Sequence, residues 1–158
     1  MEEKYIDLHT HTVCSDGSMT PEEVKAHYMA NGYSIVAFTD HNVLIGHSEL
    51  AEEAFLPLNG FEADVNEKAE KPGNQRKTNH ICYVAKEPDN LTMPFYHRSA
   101  YLFGNGEWYR DRIQFDESQP DYVREFTPEC VNDMIRRAHE AGFFVTYNHP
   151  VWSLEDFS

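Results

Sequence analysis

Short apolar runs alternate along this chain with segments that begin on helix-start residues. Residues 4–8 form the first run, a short buried strand that delivers Asp7-Leu8-His9-Thr10-His11. Thr20-Pro21-Glu22-Glu23 then supplies an N-cap with proline at the first helical position, which predicts a helix to about Ala30, where Asn31-Gly32 stops it. The β-branched and aromatic run Ser34-Ile35-Val36-Ala37-Phe38 predicts a second strand, ending in Thr39-Asp40-His41-Asn42. A second helix is expected over about residues 46–54. A third strand follows over 55–61 and leads into Glu62.

The polar stretch 64–79, with Pro72-Gly73 and no apolar helical face, reads as a hairpin. That makes the strand His80-Ile81-Cys82-Tyr83-Val84-Ala85 antiparallel to the third and places His80 on the same rim as Glu62. Residues 87–126 are aromatic and charged, partly helical by expectation, and too long for a plain connector, so they read as a lid or substrate-facing excursion. Thr127-Pro128-Glu129 starts another helix, with Val131, Met134, Ile135 and Ala138 on one face, and Gly142 ends it. A fifth strand, Phe143-Phe144-Val145-Thr146-Tyr147, closes on Asn148-His149-Pro150. Strands alternating with helices predict an α/β fold with a mainly parallel sheet or barrel.

At 158 residues the chain suits one domain, 1–158, or part of a larger one. The 13 Lys+Arg against 27 Asp+Glu give a net charge of −14, which argues against an extended nucleic-acid footprint. A small anionic substrate held through metal ions stays compatible with that charge. Cys14, Cys82 and Cys130 form no CxxC pair and read as small apolar fillers in a reduced, cytoplasmic protein. Neither a signal peptide nor an apolar run long enough for the membrane is expected.

The polar residues at the strand ends carry the chemistry. In extended chain, positions i and i+2 share a side, so His9 and His11 can reach one metal together while Asp16 folds back from a Ser-Asp-Gly turn. A His-x-His pair by itself equally fits two polar residues at a strand–loop junction. Here, however, His9, His11, Asp16, His41, Glu62, His80 and His149 all fall on one predicted rim, where parallel α/β folds build their sites. Mixed imidazole and carboxylate ligands suit zinc, manganese or iron rather than calcium, and a carboxylate able to bridge suits two or three divalent ions. Asp40 is a candidate to orient His41 from behind, or simply to cap a loop. His47 sits close enough to face the same mouth, though a lone histidine there is more often a solvated loop residue. His27 and His139 lie in helices and read as ordinary. Arg98, Arg110 and Arg112, among tyrosine and tryptophan, are candidates for a substrate phosphate or base, against the plainer account of a solvated lid.

Together Asp7-Leu8-His9-Thr10-His11, Asp16-Gly17, Thr39-Asp40-His41, Gly60-Phe61-Glu62-Ala63, His80 and Asn148-His149-Pro150 resemble the PHP family, named for polymerase and histidinol phosphatase. The resemblance implies a distorted (β/α)7 barrel and a metal-dependent phosphoesterase acting on a small phosphomonoester or short nucleotide through a metal-bridged hydroxide. It also implies that His9 and His11 hold one ion, that Glu62 bridges to a second held by His80 and His149, and that Asp16 and His41 hold a third. Such proteins also supply a later Asp-x-His pair, which does not occur here, and five strands are visible where the barrel has seven. The expectation is therefore a barrel truncated after about five strands, completed by a missing C-terminal segment or another chain. The alternatives are a non-catalytic metal-binding or partner-docking module, and a hydrolase of C–N bonds, whose usual bridging lysine has no candidate at a strand end.

Overall fold

A computed structural model describes residues 4–68, 77–95 and 100–150. In chain order the elements are β1 (Tyr5–Thr10), α1 (Pro21–Ala30), β2 (Tyr33–Phe38), β3 (Leu56–Asn66), β4 (Thr78–Ala85), the short β5 (Thr92–Met93) and β6 (Gln114–Phe115), α2 (Pro128–Glu140) and β7 (Phe143–Asn148). Single 3-10 turns occupy Ser48–Leu50 and Gly104–Tyr109. The main sheet runs β1-β2-β3-β4-β7, while β5 and β6 pair apart from it. Strands β1, β2 and β3 are parallel, and β4 is antiparallel to both β3 and β7. The fold is thus α/β with a five-stranded sheet among the described residues. The expected seven-stranded closure is not seen in them.

The helix ends follow their local chemistry. Thr20 Oγ1 accepts the Glu23 N–H at 3.2 Å and Glu23 Oε2 accepts the Thr20 N–H at 2.8 Å, a reciprocal cap in front of Pro21. Thr127 caps α2 with a single bond, its Oγ1 accepting the Cys130 N–H at 3.2 Å. The helix expected over 46–54 does not form beyond its single 3-10 turn. Asn59 Oδ1 accepts the His47 N–H at 3.0 Å, which a first helical turn would permit, but Glu52 and Phe55 exchange backbone bonds in a tight turn, so the Glu52 N–H is not available to continue a helix.

Strict alternation along β3 and β4 separates core from site. Phe61, Ala63 and Val65 of β3 and Ile81, Tyr83 and Ala85 of β4 enter the main core, where Met134 and Ala138 of α2 also pack. Glu62 and Cys82, which face each other in register, therefore lie on the opposite face, as do Asp64 and His80. Each large apolar side chain so buried contributes roughly 1.5–3 kcal/mol, and this core fixes the sheet that carries the polar face. The described part of 87–126 contributes Met93, Phe95, Leu102 and Ile113 to the same core. Arg124 anchors the segment to β3, donating to the Asp64 carbonyl at 3.0 Å with its guanidinium 4.0 Å from the Tyr101 ring centroid. Where a helix was expected in this segment, the described part shows the 3-10 turn and the two short strands instead. No helix among the described residues is long and apolar enough to cross a membrane.

Candidate metal centre

The topology brings the carboxyl ends of β1, β2 and β7, the middle of β3 and the start of β4 to one rim. His9 belongs to β1 and His11 follows it. His41 follows β2, Glu62 sits within β3, His80 lies near the start of β4 and His149 follows β7. His80 and Glu62 share a rim because β4 runs antiparallel to β3, with His80 opposite Asp64. His149 has φ +27°, a left-handed backbone that is strained for a residue with a side chain and marks the turn into Pro150. Together His9, His11, Asp16, His41, Glu62, His80 and His149 line one cavity of about 390 Å³.

Glu62 is the hub. It is 0 % exposed, and five imidazoles converge on its two oxygens. Oε1 lies 3.5 Å from His9 Nε2 and 3.4 Å from His149 Nε2. Oε2 lies 3.2 Å from His11 Nε2, 3.4 Å from His41 Nδ1 and 3.6 Å from His80 Nδ1. Asp16, at the open side, approaches His11 Nδ1 at 3.2 Å and His41 Nε2 at 3.7 Å. Three groups of donor atoms, each within 4.8 Å of one another, result: His9-Glu62-His149, His11-Asp16-His41 and His41-Glu62-His80. His9 and His11 reach different oxygens of Glu62, and the His149 ring stands beside both His9 and His80, with centroids 5.4 Å and 4.9 Å away.

The spacings suit cations better than hydrogen bonds. A charge-assisted N–H···O bond closes to about 2.7–2.9 Å, whereas ligands held at about 2.0–2.1 Å around a tetrahedral ion stand about 3.3 Å apart. The Glu62–imidazole distances lie around the second value. Glu62 Oε2 and His41 Nδ1 are both buried and make no hydrogen bond, an arrangement that is costly without a charge between them. The donor set therefore fits divalent metal ions.

Electrostatics agree. Burial pushes the His9 imidazole down to about 4, against the opposing pull of Glu62, and burial also lowers His41 and His80. These rings are proton-free near neutral pH, the state a metal ligand requires. His11 is raised: burial lowers it, but contact with Glu62 and the Asp16 charge outweigh that. Burial would raise Glu62, yet His11 and the other imidazoles hold it down at about 2, so the carboxylate is charged.

Asp40 has a different task from orienting His41. Its carboxylate accepts the Thr12 N–H at 2.7 Å, the Thr12 hydroxyl at 2.8 Å and the Ser15 hydroxyl at 2.7 Å. It thereby holds the loop that joins His11 to Asp16. Asparagine at position 40 offers one acceptor oxygen and turns an amide toward these donors. Asp40→Asn is expected to weaken metal binding by about 10-fold, the low end for residues that orient ligands from behind, measurable by competition with a chelator.

Three neighbours of the centre are not among the residues the sequence reading singles out as ligands. Cys82, read there as an apolar filler, places Sγ 3.1 Å from His9 Nδ1, and burial and the Glu62 charge push its thiol up to about 12. Its i+2 relation to His80 on β4 is the pattern that marks it. Asn148 donates to Glu62 Oε1 at 3.2 Å and to Cys82 Sγ at 2.6 Å, and Thr39 Oγ1 lies 2.9 Å from His9 Nδ1. Other candidates lie elsewhere. His47 is buried against Phe38, its ring 4.6 Å away, and lines a separate cavity with Arg112. Cys14 is buried in the core. Arg110 follows the 3-10 turn and does not line the metal cavity, while Arg98 lies outside the described residues.

A 3',5'-nucleoside bisphosphate phosphatase of Chromobacterium violaceum is 42% identical over 65 residues, covering 39% of this chain and 23% of its own length. The chain thus spans less than a quarter of that curated relative. A solved structure from Bifidobacterium adolescentis, described as a candidate metal-dependent phosphoesterase, is similar with a TM-score of 0.51 and 18% identity, over 91% of this chain and 66% of that one. A two-domain protein of Bacteroides vulgatus containing a predicted PHP-like metal-dependent phosphoesterase gives a TM-score of 0.49 and 22% identity, over 94% of this chain and 36% of that one. The model of the PHP domain matches residues 7–141, from just before the His-x-His pair to the end of α2, and the chain belongs to the PHP family.

Proposed function

We propose that this chain carries the metal centre of a phosphoesterase that hydrolyses a small phosphomonoester or short nucleotide. The observation that supports this most is the buried Glu62 carboxylate, whose oxygens each face a separate set of imidazoles, as a bridge between two cations requires. His9, His11, Asp16, His41, Glu62, His80 and His149 are the ligands, for two or three ions of zinc, manganese or iron. Such ions acidify a coordinated water and offset the charge on phosphoryl oxygens.

The chain's own residues supply the rest. The apolar core behind β3 and β4 holds Glu62 rigidly, the three hydrogen bonds of Asp40 set the His11–Asp16 loop, and Asp16 stands at the solvent side of the centre. A net charge of −14 repels polyanions, so a cation-lined cavity in it favours small phosphates. Nucleoside 3',5'-bisphosphates are the first substrates to test, because the Chromobacterium violaceum relative bears that activity in its name.

Protein stripped of metal and then reloaded with manganese, iron or zinc is expected to release inorganic phosphate from a panel of phosphomonoesters and nucleotides. The stripped protein is expected to release none. Loaded protein that holds its ions yet leaves every phosphoester intact would refute catalysis by this chain and favour a binding module.

A further inference from the structure

His9 offers its two ring nitrogens to different surroundings. Nε2 faces the cavity and shares Glu62 Oε1 with His149. Nδ1 points to Thr39 Oγ1 at 2.9 Å and Cys82 Sγ at 3.1 Å. An imidazole that gives one nitrogen to a cation carries its proton on the other, and that N–H needs an acceptor. Thr39 is arranged to be one. Its hydroxyl lies 3.3 Å from the Thr10 carbonyl, to which it donates, and its oxygen accepts the Thr10 N–H at 3.1 Å. One lone pair remains, and it faces His9.

Cys82 fits the same polarity. Its S–H is directed to Glu62 Oε1 at 3.9 Å, which leaves the sulfur to accept from Asn148 Nδ2 and from His9. With Thr39 and Cys82 both turned this way, every donor around His9 Nδ1 has an acceptor.

We propose that Thr39, with Cys82 behind it, is the positioning residue that holds His9 with its proton on Nδ1 and so aims the bare Nε2 into the group shared with Glu62 and His149. The inference rests on the metal-centre reading above and is independent of which ester, if any, is cleaved. Thr39→Val keeps the shape and removes the acceptor, whereas Thr39→Ser keeps the acceptor and loses only the methyl.

The test uses zinc alone as probe, with stoichiometry from elemental analysis, affinity from chelator competition, and imidazole ¹H–¹⁵N spectra of the loaded protein. His9 in zinc-loaded wild type is expected to be protonated at Nδ1. Thr39→Val is expected to weaken one class of bound zinc by about 10- to 100-fold, and Thr39→Ser to restore it. Thr39→Val also strands the Thr10 N–H, so lower thermal stability alone does not count in favour; selective loss of one ion class with serine rescue does. Unchanged zinc affinity and stoichiometry in Thr39→Val overturns the proposal, as does a loaded His9 protonated at Nε2. Should Thr39→Val not fold, the wild-type spectrum decides. Wild type that takes up no zinc sinks the metal-centre reading itself, an outcome distinct from failure of the Thr39 role.

Discussion

Glu62→Gln is expected to empty the centre while leaving the fold in place. The side chain is 0 % exposed and nearly isosteric with glutamine, so the packing of β3 against β4 survives the change. The charge does not. At present one oxygen faces His9 and His149 and the other faces His11, His41 and His80, so a bridging anion is available to both sides. Glutamine keeps one acceptor and points an NH₂ group at the other set, placing donors where a cation must sit. Residues that only orient ligands typically contribute 10- to 100-fold, so loss of the bridge is expected to exceed about 100-fold in metal affinity. Elemental analysis after dialysis against limiting metal, beside a circular dichroism melt, checks both halves. Full occupancy in a folded Glu62→Gln protein would falsify the bridging role.

The second large effect is expected from Gly17→Ala, and it arises from backbone rather than chemistry. Residues 12–19 fold back on themselves: Gly17 N–H bonds the Thr12 carbonyl at 2.9 Å and Val13 N–H bonds the Met19 carbonyl at 2.9 Å. A methyl on Gly17 would stand 2.6 Å from the His11 carbonyl oxygen and 2.7 Å from the Thr12 nitrogen, closer than any real contact of that kind. Backbone cannot swing aside as a flexible side chain can, so the loop must move, with His11 at one end and Asp16 beside the substitution. Overpacking of this kind costs about 1–3 kcal/mol in stability, which a urea melt reads. A ligand misplaced by about 1 Å can cost about 100-fold in rate, and a loss of that order is expected in any metal-dependent hydrolysis. A variant that binds metal and turns over as wild type does would show that the close approach at Gly17 does not set the ligands.

The chemistry of the candidate ligands is conspicuous in extended chain. The i, i+2 spacing places His9 and His11 on one side, and both reach Glu62. The hairpin reading of residues 64–79 correctly made β4 antiparallel to β3, which is why His80 falls beside the other imidazoles. Spacing does not decide how the imidazoles are shared out around Glu62: His9 faces Oε1 and His11 faces Oε2, and His149, arriving from β7, reaches Oε1 beside His9. Asp40 shows the same limit: next to His41 in sequence, it bonds Thr12 and Ser15, which only the pairing of β1 with β2 brings near.

Local signals alone determined the helix starts at Thr20 and Thr127, the existence of five main strands and the identity of the residues with metal-binding chemistry, because caps, periodicity and donor types act over a few neighbouring residues. Tertiary structure decided the rest. Cys82, Asn148 and Thr39 acquired their places around His9 and Glu62 only when β1, β2, β3, β4 and β7 came into register. A ligand's identity is written in its own side chain; its partners are set by strands far apart along the chain, and the packing of the core holds those strands together.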